Sequence, residues 1–205
     1  PALEYSHSLS CMREGVLGLD DGAVHLSCEP GAGATTLCLS VAAAVLERGN
    51  RVIWLSRDVP DPQRSAQILG TLSEEVLGRL VIIDYKEDLM AASAALRTII
   101  RGMKERDLLV VEDWCERHGR ATNVNLESMR SILADARPCH VIFTSASYDD
   151  ASGKELRRSR GGGGFEELAR TVFLYRDSGS MSHRILEDHG IRSRIIITED
   201  GFAPA

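Results

Sequence analysis

Short apolar runs alternate along this chain with longer stretches in which apolar residues recur every three or four positions. Val24–Ser27, Arg51–Ser56, Leu80–Asp84, Leu108–Glu112 and His140–Thr144 are the runs. Their length and β-branched content predict strands buried on both faces. Between them, Thr36–Arg48 puts Leu37, Val41, Ala44 and Val45 on one helical face, and Gly49-Asn50 supplies the stop. Glu87–Glu105 aligns Leu89, Ala92, Leu96, Ile99 and Met103, and Asn123–Ala136 aligns Leu126, Met129, Leu133 and Ala136. Pro62–Leu77 reads as helix in pieces, broken at Gly70. Strands alternating with helices in this way predict an α/β fold with a mostly parallel central sheet and helices on both faces.

The last third differs in character. Residues 145–164 are polar and glycine-rich, and predict a flexible loop ending in the run Lys154 to Gly164. A short helix over Phe165–Ala169 follows. Thr171–Tyr175, His183–Leu186 and Ser193–Thr198 then lie close together between tight turns, as antiparallel strands added to a sheet edge do. With no internal repeat and no linker, residues 1–205 read as a single domain.

Composition narrows the function classes. Net charge is −6 over 205 residues, which argues against a broad basic face for duplex DNA while leaving room for a local basic loop. No uncharged run approaches the ~18–20 residues of a membrane helix, so a cytoplasmic protein without a membrane partner is expected. The five cysteines, Cys11, Cys28, Cys38, Cys115 and Cys139, are odd in number and lack C-x-x-C spacing. They read as small buried hydrophobes rather than a zinc site or disulfide framework. The six histidines show no ligand spacing.

The chemistry concentrates at residues 28–36, Cys-Glu-Pro-Gly-Ala-Gly-Ala-Thr-Thr, between the first strand and the first helix. This matches the phosphate-binding pattern G-x-x-x-x-G-K-[ST], in which backbone N–H groups cradle phosphates and the lysine reaches the β- and γ-phosphates. Gly31, Gly33 and Thr35 fit; Cys28 stands for the first glycine and Ala34 for the lysine. Gly31, Ala32, Gly33, Ala34, Thr35 and Thr36 are thus the candidate phosphate contacts, with a helix N-terminus behind them. Glu112-Asp113 closes the fourth strand; a family resemblance implies that an acid there holds Mg²⁺, with Thr35 as a further candidate ligand, and either acid qualifies. Lys154–Arg160 carries four cations and one acid in seven residues, which reads as a solvated loop by itself; a family resemblance implies contact with phosphates of single-stranded DNA through Lys154, Arg157, Arg158 and Arg160. Trp54 reads as core. Trp114, beside the acid pair, reads as a loop residue on a partner face.

This order of parts resembles the core ATPase domain of the RecA family, in particular the archaeal RadA/RadB recombinases and their paralogues. The resemblance covers roughly residues 15–203. It rests on the phosphate loop, on Arg57-Asp58-Val59-Pro60-Asp61-Pro62-Gln63-Arg64, and on the tail from Arg170 through Arg184–Asp188 to Ile195–Phe202 with its I-T-x-x-G turn. It implies a RecA-like three-layer domain with an antiparallel C-terminal edge. Where RadB-like chains carry Thr-Glu at the end of the second strand, this chain has Arg57-Asp58, so Asp58 takes the position of the glutamate that orients the attacking water, one methylene shorter. Where recombinases carry Thr-Asn-Gln after the fifth strand, this chain has Thr144-Ser145-Ala146. A Lys-His-Arg-type cluster has Asp188-His189-Gly190 as its counterpart. The Phe-x-x-Ala string, Phe143–Ala146, falls in a predicted core strand, and no N-terminal helical DNA-binding domain is expected.

The resemblance therefore implies a catalytically degenerate paralogue with a degenerate Walker A motif. It would act as an accessory factor in recombination or repair, through a RadA-type recombinase or other RecA-like partner, single-stranded DNA, or self-association. ATP with Mg²⁺ would bind weakly or not at all, and hydrolysis is not expected. Two other readings stay open: a KaiC-like nucleotide-binding switch, and an ATPase carrying a laboratory Lys→Ala change. The last accounts for Ala34 but leaves Asp58, Ala146 and Asp188 unexplained.

Overall fold

In the computed structural model, residues 16–86, 88–149 and 157–205 are described. Nine strands form one sheet. In chain order its first five are β1 (Val24–Cys28), β2 (Val52–Ser56), β3 (Leu80–Asp84), β4 (Leu108–Glu112) and β5 (His140–Ala146). A two-stranded ribbon of β6 (Tyr148–Asp149) and β7 (Arg157–Arg158) stands apart. The sheet resumes with β8 (Arg170–Arg176), β9 (His183–Asp188), β10 (Ile191–Thr198) and β11 (Gly201–Pro204). Across the sheet the order is β11-β10-β9-β8-β1-β5-β4-β2-β3. From β8 to β3 neighbours are parallel, while β8 to β11 pair antiparallel. The predicted parallel sheet with an antiparallel C-terminal edge is what the chain forms.

The apolar runs are continuous because both faces are covered: every residue of β1, β2 and β4 is buried. On one face lies α1 (Ala34–Glu47), rich in Ala and Leu and buried from Thr36 to Leu46. A helix so apolar on all sides belongs inside a core. It packs with α2 (Pro62–Leu69), whose Asp61 cap accepts the Arg64 N–H at 2.7 Å, and with the single turn α3 (Glu74–Leu77). Gly70 separates α2 from α3, as its position in the pattern predicted. The other face holds α4 (Leu89–Arg101) and α5 (Asn123–Asp135), capped by Asp88 and Thr122 and joined where Arg97 and Arg101 both meet Asp135. Predicted helix ends at Glu87 and Glu105 were too generous, because the Asp88 cap and Gly102 set tighter limits; Glu87 itself lies outside the described residues.

Two further expectations change. The short helix α6 is Gly163–Glu166, earlier than predicted. It starts there because Gly161 and Gly162 make the turn with φ of +107° and +65°, and Phe165 folds back so closely that a Cβ on Gly161 would sit 2.9 Å from its own. In addition, the flanks of the supposed flexible loop are built into structure: β5 runs on to Ala146, and Tyr148 and Asp149 pair with Arg158 and Arg157. Among the described residues no helix is long and apolar enough to cross a membrane.

Candidate functional site

The C-terminal ends of β1, β2, β4 and β5 open on one cavity of about 480 Å³. This is where parallel α/β sheets place ligands, because the loops that follow the strands gather there. The Gly31–Thr36 loop forms one wall. Gly31 and Gly33 adopt φ of +76° and +97°, a left-handed geometry that bends the chain from β1 into α1. Gly33 is the N-cap of α1 and no side chain caps the helix, so the first N–H groups of α1 are left to the cavity. Cys28 sends its thiol into the core, where burial raises its pKa well above the ordinary thiol value.

The loop is braced from outside by two arginines of the antiparallel edge. Arg184, buried on β9, donates from Nε to the Ala32 carbonyl at 3.0 Å. Arg176, at the end of β8, donates to the Pro30 carbonyl at 3.0 Å. A Cβ at Gly31 would lie 2.6 Å from the end of that side chain, and the left-handed φ of +76° is what favours glycine there. From below, Ser40 of α1 donates to the Thr36 carbonyl at 2.8 Å and accepts the Phe202 N–H at 3.1 Å. Gly201 (φ +117°) makes this contact feasible, since a Cβ there would sit 2.1 Å from the Ser40 hydroxyl. Arg64 completes the clamp: its Nε donates to the Thr36 hydroxyl at 3.1 Å, and its terminal nitrogens donate to the Glu199 and Thr198 carbonyls at 2.8 Å each. The I-T-x-x-G turn thus holds the base of the loop. None of the three bracing arginines stood out in the sequence as a loop support, because their targets are carbonyls distant in the chain.

Of the two acids, the structure brings Glu112 to Thr35. Its carboxylate accepts the Thr35 hydroxyl, the Trp54 indole N–H at 3.1 Å and the Ser56 hydroxyl at 3.0 Å. Burial raises the Glu112 pKa, while the Thr35 and Ser56 hydrogen bonds pull it back down. Trp54 is core, as predicted, and also gives the acid a donor. Asp113 turns away in a left-handed conformation (φ +52°); its N–H donates to the Thr144 hydroxyl at 3.0 Å, and its carboxylate pairs with Arg117 at 2.8 Å. Asp58 is exposed on the cavity wall just beyond β2.

Thr144-Ser145-Ala146 ends β5 beside the loop. Ser145 is buried with its hydroxyl hydrogen-bonded to His25 Nε2 at 2.8 Å, and the Trp114 indole nitrogen lies 3.3 Å from the same ring nitrogen. His25, Trp114, Phe143 and Phe165 form one aromatic cluster, with Trp114 and Phe165 stacked at 4.7 Å between ring centroids. Trp114 is therefore core and not a loop residue on a partner face; the stacking surface of Phe165, from a distant part of the chain, draws it in. Asp188 pairs with Arg170 and lies opposite Val172, near the start of β8, whereas Arg176 at the other end of that strand meets the phosphate loop. The Asp188-His189-Gly190 turn is thus at the end of the sheet away from the cavity.

The four basic candidates separate. Arg160 is 7% exposed and donates to the carbonyls of Ala146 (3.0 Å), Arg117 and Gly119. It is an internal strut, unavailable to a solvent-borne phosphate. Arg157 lays its guanidinium 3.5 Å from the centroid of Tyr175. Arg158 is exposed on β7, and Lys154 lies outside the described residues, as do Cys11 and His7.

The arrangement defines a class first: a RecA-like α/β fold, with the Gly31–Thr36 loop, the helix that follows it and the strand-end acid Glu112 around one cavity. Among solved structures, the RadB recombinase superposes with a TM-score of 0.70 at 18% identity, over 89% of this chain and 90% of that one. A DnaB-like replicative helicase, in a structure describing its interactions with primase, gives 0.66 at 16% identity, over 89% of this chain and 57% of the helicase. The curated proteins sharpen the comparison to one lineage. The DNA repair and recombination protein RadB of Methanoculleus marisnigri is 24% identical over 190 residues, 84% of each chain. Its namesake in Methanococcoides burtonii is 22% identical over 204 residues, 90% of each chain. No protein-family model matches the chain. It is related, at a distance, to archaeal RadB.

Proposed function

We propose that this protein is a RadB-like accessory factor of homologous recombination or DNA repair that holds a magnesium nucleotide without turning it over. The observation that carries the reading is a cavity whose cradle is intact while its chemistry is thinned. Gly31 and Gly33 keep their left-handed turns, α1 presents an uncapped N-terminus, and Thr35 meets Glu112. These parts suit phosphates and a divalent cation: backbone N–H groups of Gly31 and of residues 33–36 would hold the phosphates, and the Thr35 hydroxyl and Glu112 carboxylate would hold Mg²⁺, which supplies neutralising charge when bound. In the same loop Ala34 offers a methyl group in place of an ammonium, while elsewhere on the cavity wall Ala146 has no amide and Asp58 is a shortened acid on the rim.

The RadB names of the relatives support a role beside a RadA-type recombinase or another RecA-like protein. Arg157 and Arg158 on the β6–β7 ribbon, with Lys154, are the side chains through which it would meet single-stranded DNA. The test adds the purified chain to strand exchange by a RadA-type recombinase while ATP consumption by the chain alone is followed. The reading expects an altered exchange rate at stoichiometric amounts and no turnover by the chain alone. Recombinase-like hydrolysis by the pure chain, abolished by Glu112→Gln, would contradict it.

A further inference from the structure

We propose that Arg117 replaces the missing lysine: released from Asp113, its guanidinium meets the terminal phosphates of a magnesium nucleoside triphosphate held on the Gly31–Thr36 loop. The inference rests on the reading of the cavity as a nucleotide site and names the residue that makes it selective.

Charge on the cavity wall sets the problem. Glu29, Asp58, Asp61, Glu112 and Asp113 line it, against the cations Arg64 and Arg117. A triphosphate brings about four more negative charges, of which one Mg²⁺ cancels two. Ala34 contributes nothing. Arg64 is already committed, with its Nε on Thr36 and both terminal nitrogens on main-chain carbonyls of the β10–β11 turn. Moving it would unclamp the loop it supports.

Arg117 is placed differently. It lies five residues beyond Glu112 in the segment that follows β4, and it lines the same cavity as Thr35 and Ala34. Its Nε and one terminal nitrogen donate to a single oxygen, Asp113 Oδ2, at 3.2 and 2.8 Å. The side chain is 67% exposed, so this pair is screened by solvent and costs little to open. Its main chain, by contrast, is fixed: the Arg117 carbonyl accepts from the buried Arg160. An anchored Cα with a loosely held guanidinium is what a swinging cation requires.

Asp113 and a γ-phosphate compete for that guanidinium. The phosphate offers more charge and several oxygens to a planar fork of donors. A diphosphate ends short of that position, leaving Arg117 on Asp113. Triphosphate and diphosphate are thus distinguished by one ion-pair exchange, with no lysine involved.

The experiment titrates a fluorescent ATP analogue and the matching ADP analogue, each with Mg²⁺, into the full chain and its Arg117→Ala, Arg117→Lys and Asp113→Asn variants. Arg117→Ala is expected to weaken the triphosphate about ten-fold and leave the diphosphate unchanged, the scale of one charge-assisted hydrogen-bonded contact at a partly exposed site. Arg117→Lys restores part of the loss. Asp113→Asn, which removes the competing carboxylate and keeps a residue that tolerates the left-handed backbone, is expected to tighten triphosphate binding several-fold; misfolding cannot produce that gain. Equal losses of both nucleotides in Arg117→Ala, or no loss at all, would overturn the role of Arg117 while leaving the nucleotide site standing. A wild-type chain that binds neither analogue would overturn the site, and this inference with it.

Discussion

The phosphate loop and the glycine-rich basic segment look alike in the sequence, each a run of glycines beside potential phosphate contacts, yet they are put to opposite uses. In the first, glycines shape a concave backbone around a cavity, and arginines from distant strands brace it from behind. In the second, glycine makes room for an aromatic side chain, and the arginine nearest to it turns inward to hold three carbonyls together. The difference lies in where the backbone polar groups point. The first loop turns its N–H groups to the cavity and its Pro30 and Ala32 carbonyls to bracing arginines, whereas the second lends its own Arg160 to the carbonyls of Ala146, Arg117 and Gly119. Arg160 is consumed in this way, and so are Arg64, Arg176 and Arg184 around the cavity.

The sharpest way to break this contrast is to remove Arg160. Arg160→Met keeps the stem and strands the Ala146, Arg117 and Gly119 carbonyls, so it should cost about 2–4 kcal/mol in urea unfolding. Arg158→Met, on the exposed face of the ribbon, should stay within about 0.5 kcal/mol. Equal effects would mean that the segment is not divided into strut and surface. On the cavity side, Gly201→Ala forces a side chain into a left-handed backbone and against the Ser40 hydroxyl, and should cost about 2–3 kcal/mol while loosening the loop that α1 carries.

The two regions share the aromatic cluster, and pH probes that joint. Burial lowers the His25 pKa to about 3 from an ordinary 6.5. Between those values the unfolded chain takes up a proton that the native chain refuses, so stability falls as pH falls below 6.5. At roughly 1.4 kcal/mol per pH unit, going from pH 6.5 to pH 5 removes about 2 kcal/mol. His25→Phe should flatten that part of the stability profile, measured by denaturant unfolding at each pH. A smaller loss is expected at Thr35: Thr35→Val removes one donor to Glu112 and should cost about 1 kcal/mol, with most Mg²⁺ dependence of nucleotide binding lost.

Much of the cavity was legible in the chain because its signals are local. Gly31 and Gly33 carry their positive φ wherever the loop goes, and a strand before and a periodic helix after them fix its setting. The sheet followed for the same reason, since buried parallel strands announce themselves as uninterrupted apolar runs. What could not be read was direction at strand ends. Whether Glu112 or Asp113 meets Thr35 depends on the alternation of side chains across β4, and on a left-handed turn at Asp113 that nothing in its sequence demands. Trp114 looked like a rim residue beside acids, and only the stacking partner Phe165 reveals it as core. Arg160 has the same chemistry as Arg158 and a different fate, decided by carbonyls tens of residues away in the chain.

The central claim is that the cavity is a phosphate cradle whose catalytic equipment has been lost at several positions together. Steady-state ATP hydrolysis with Mg²⁺ by the wild type and by Ala34→Lys measures this directly. The account predicts background turnover for both, because restoring the ammonium leaves Asp58 short and Ala146 without an amide. Recombinase-like turnover in Ala34→Lys would contradict it, and would show that a single side chain separates this protein from an active ATPase.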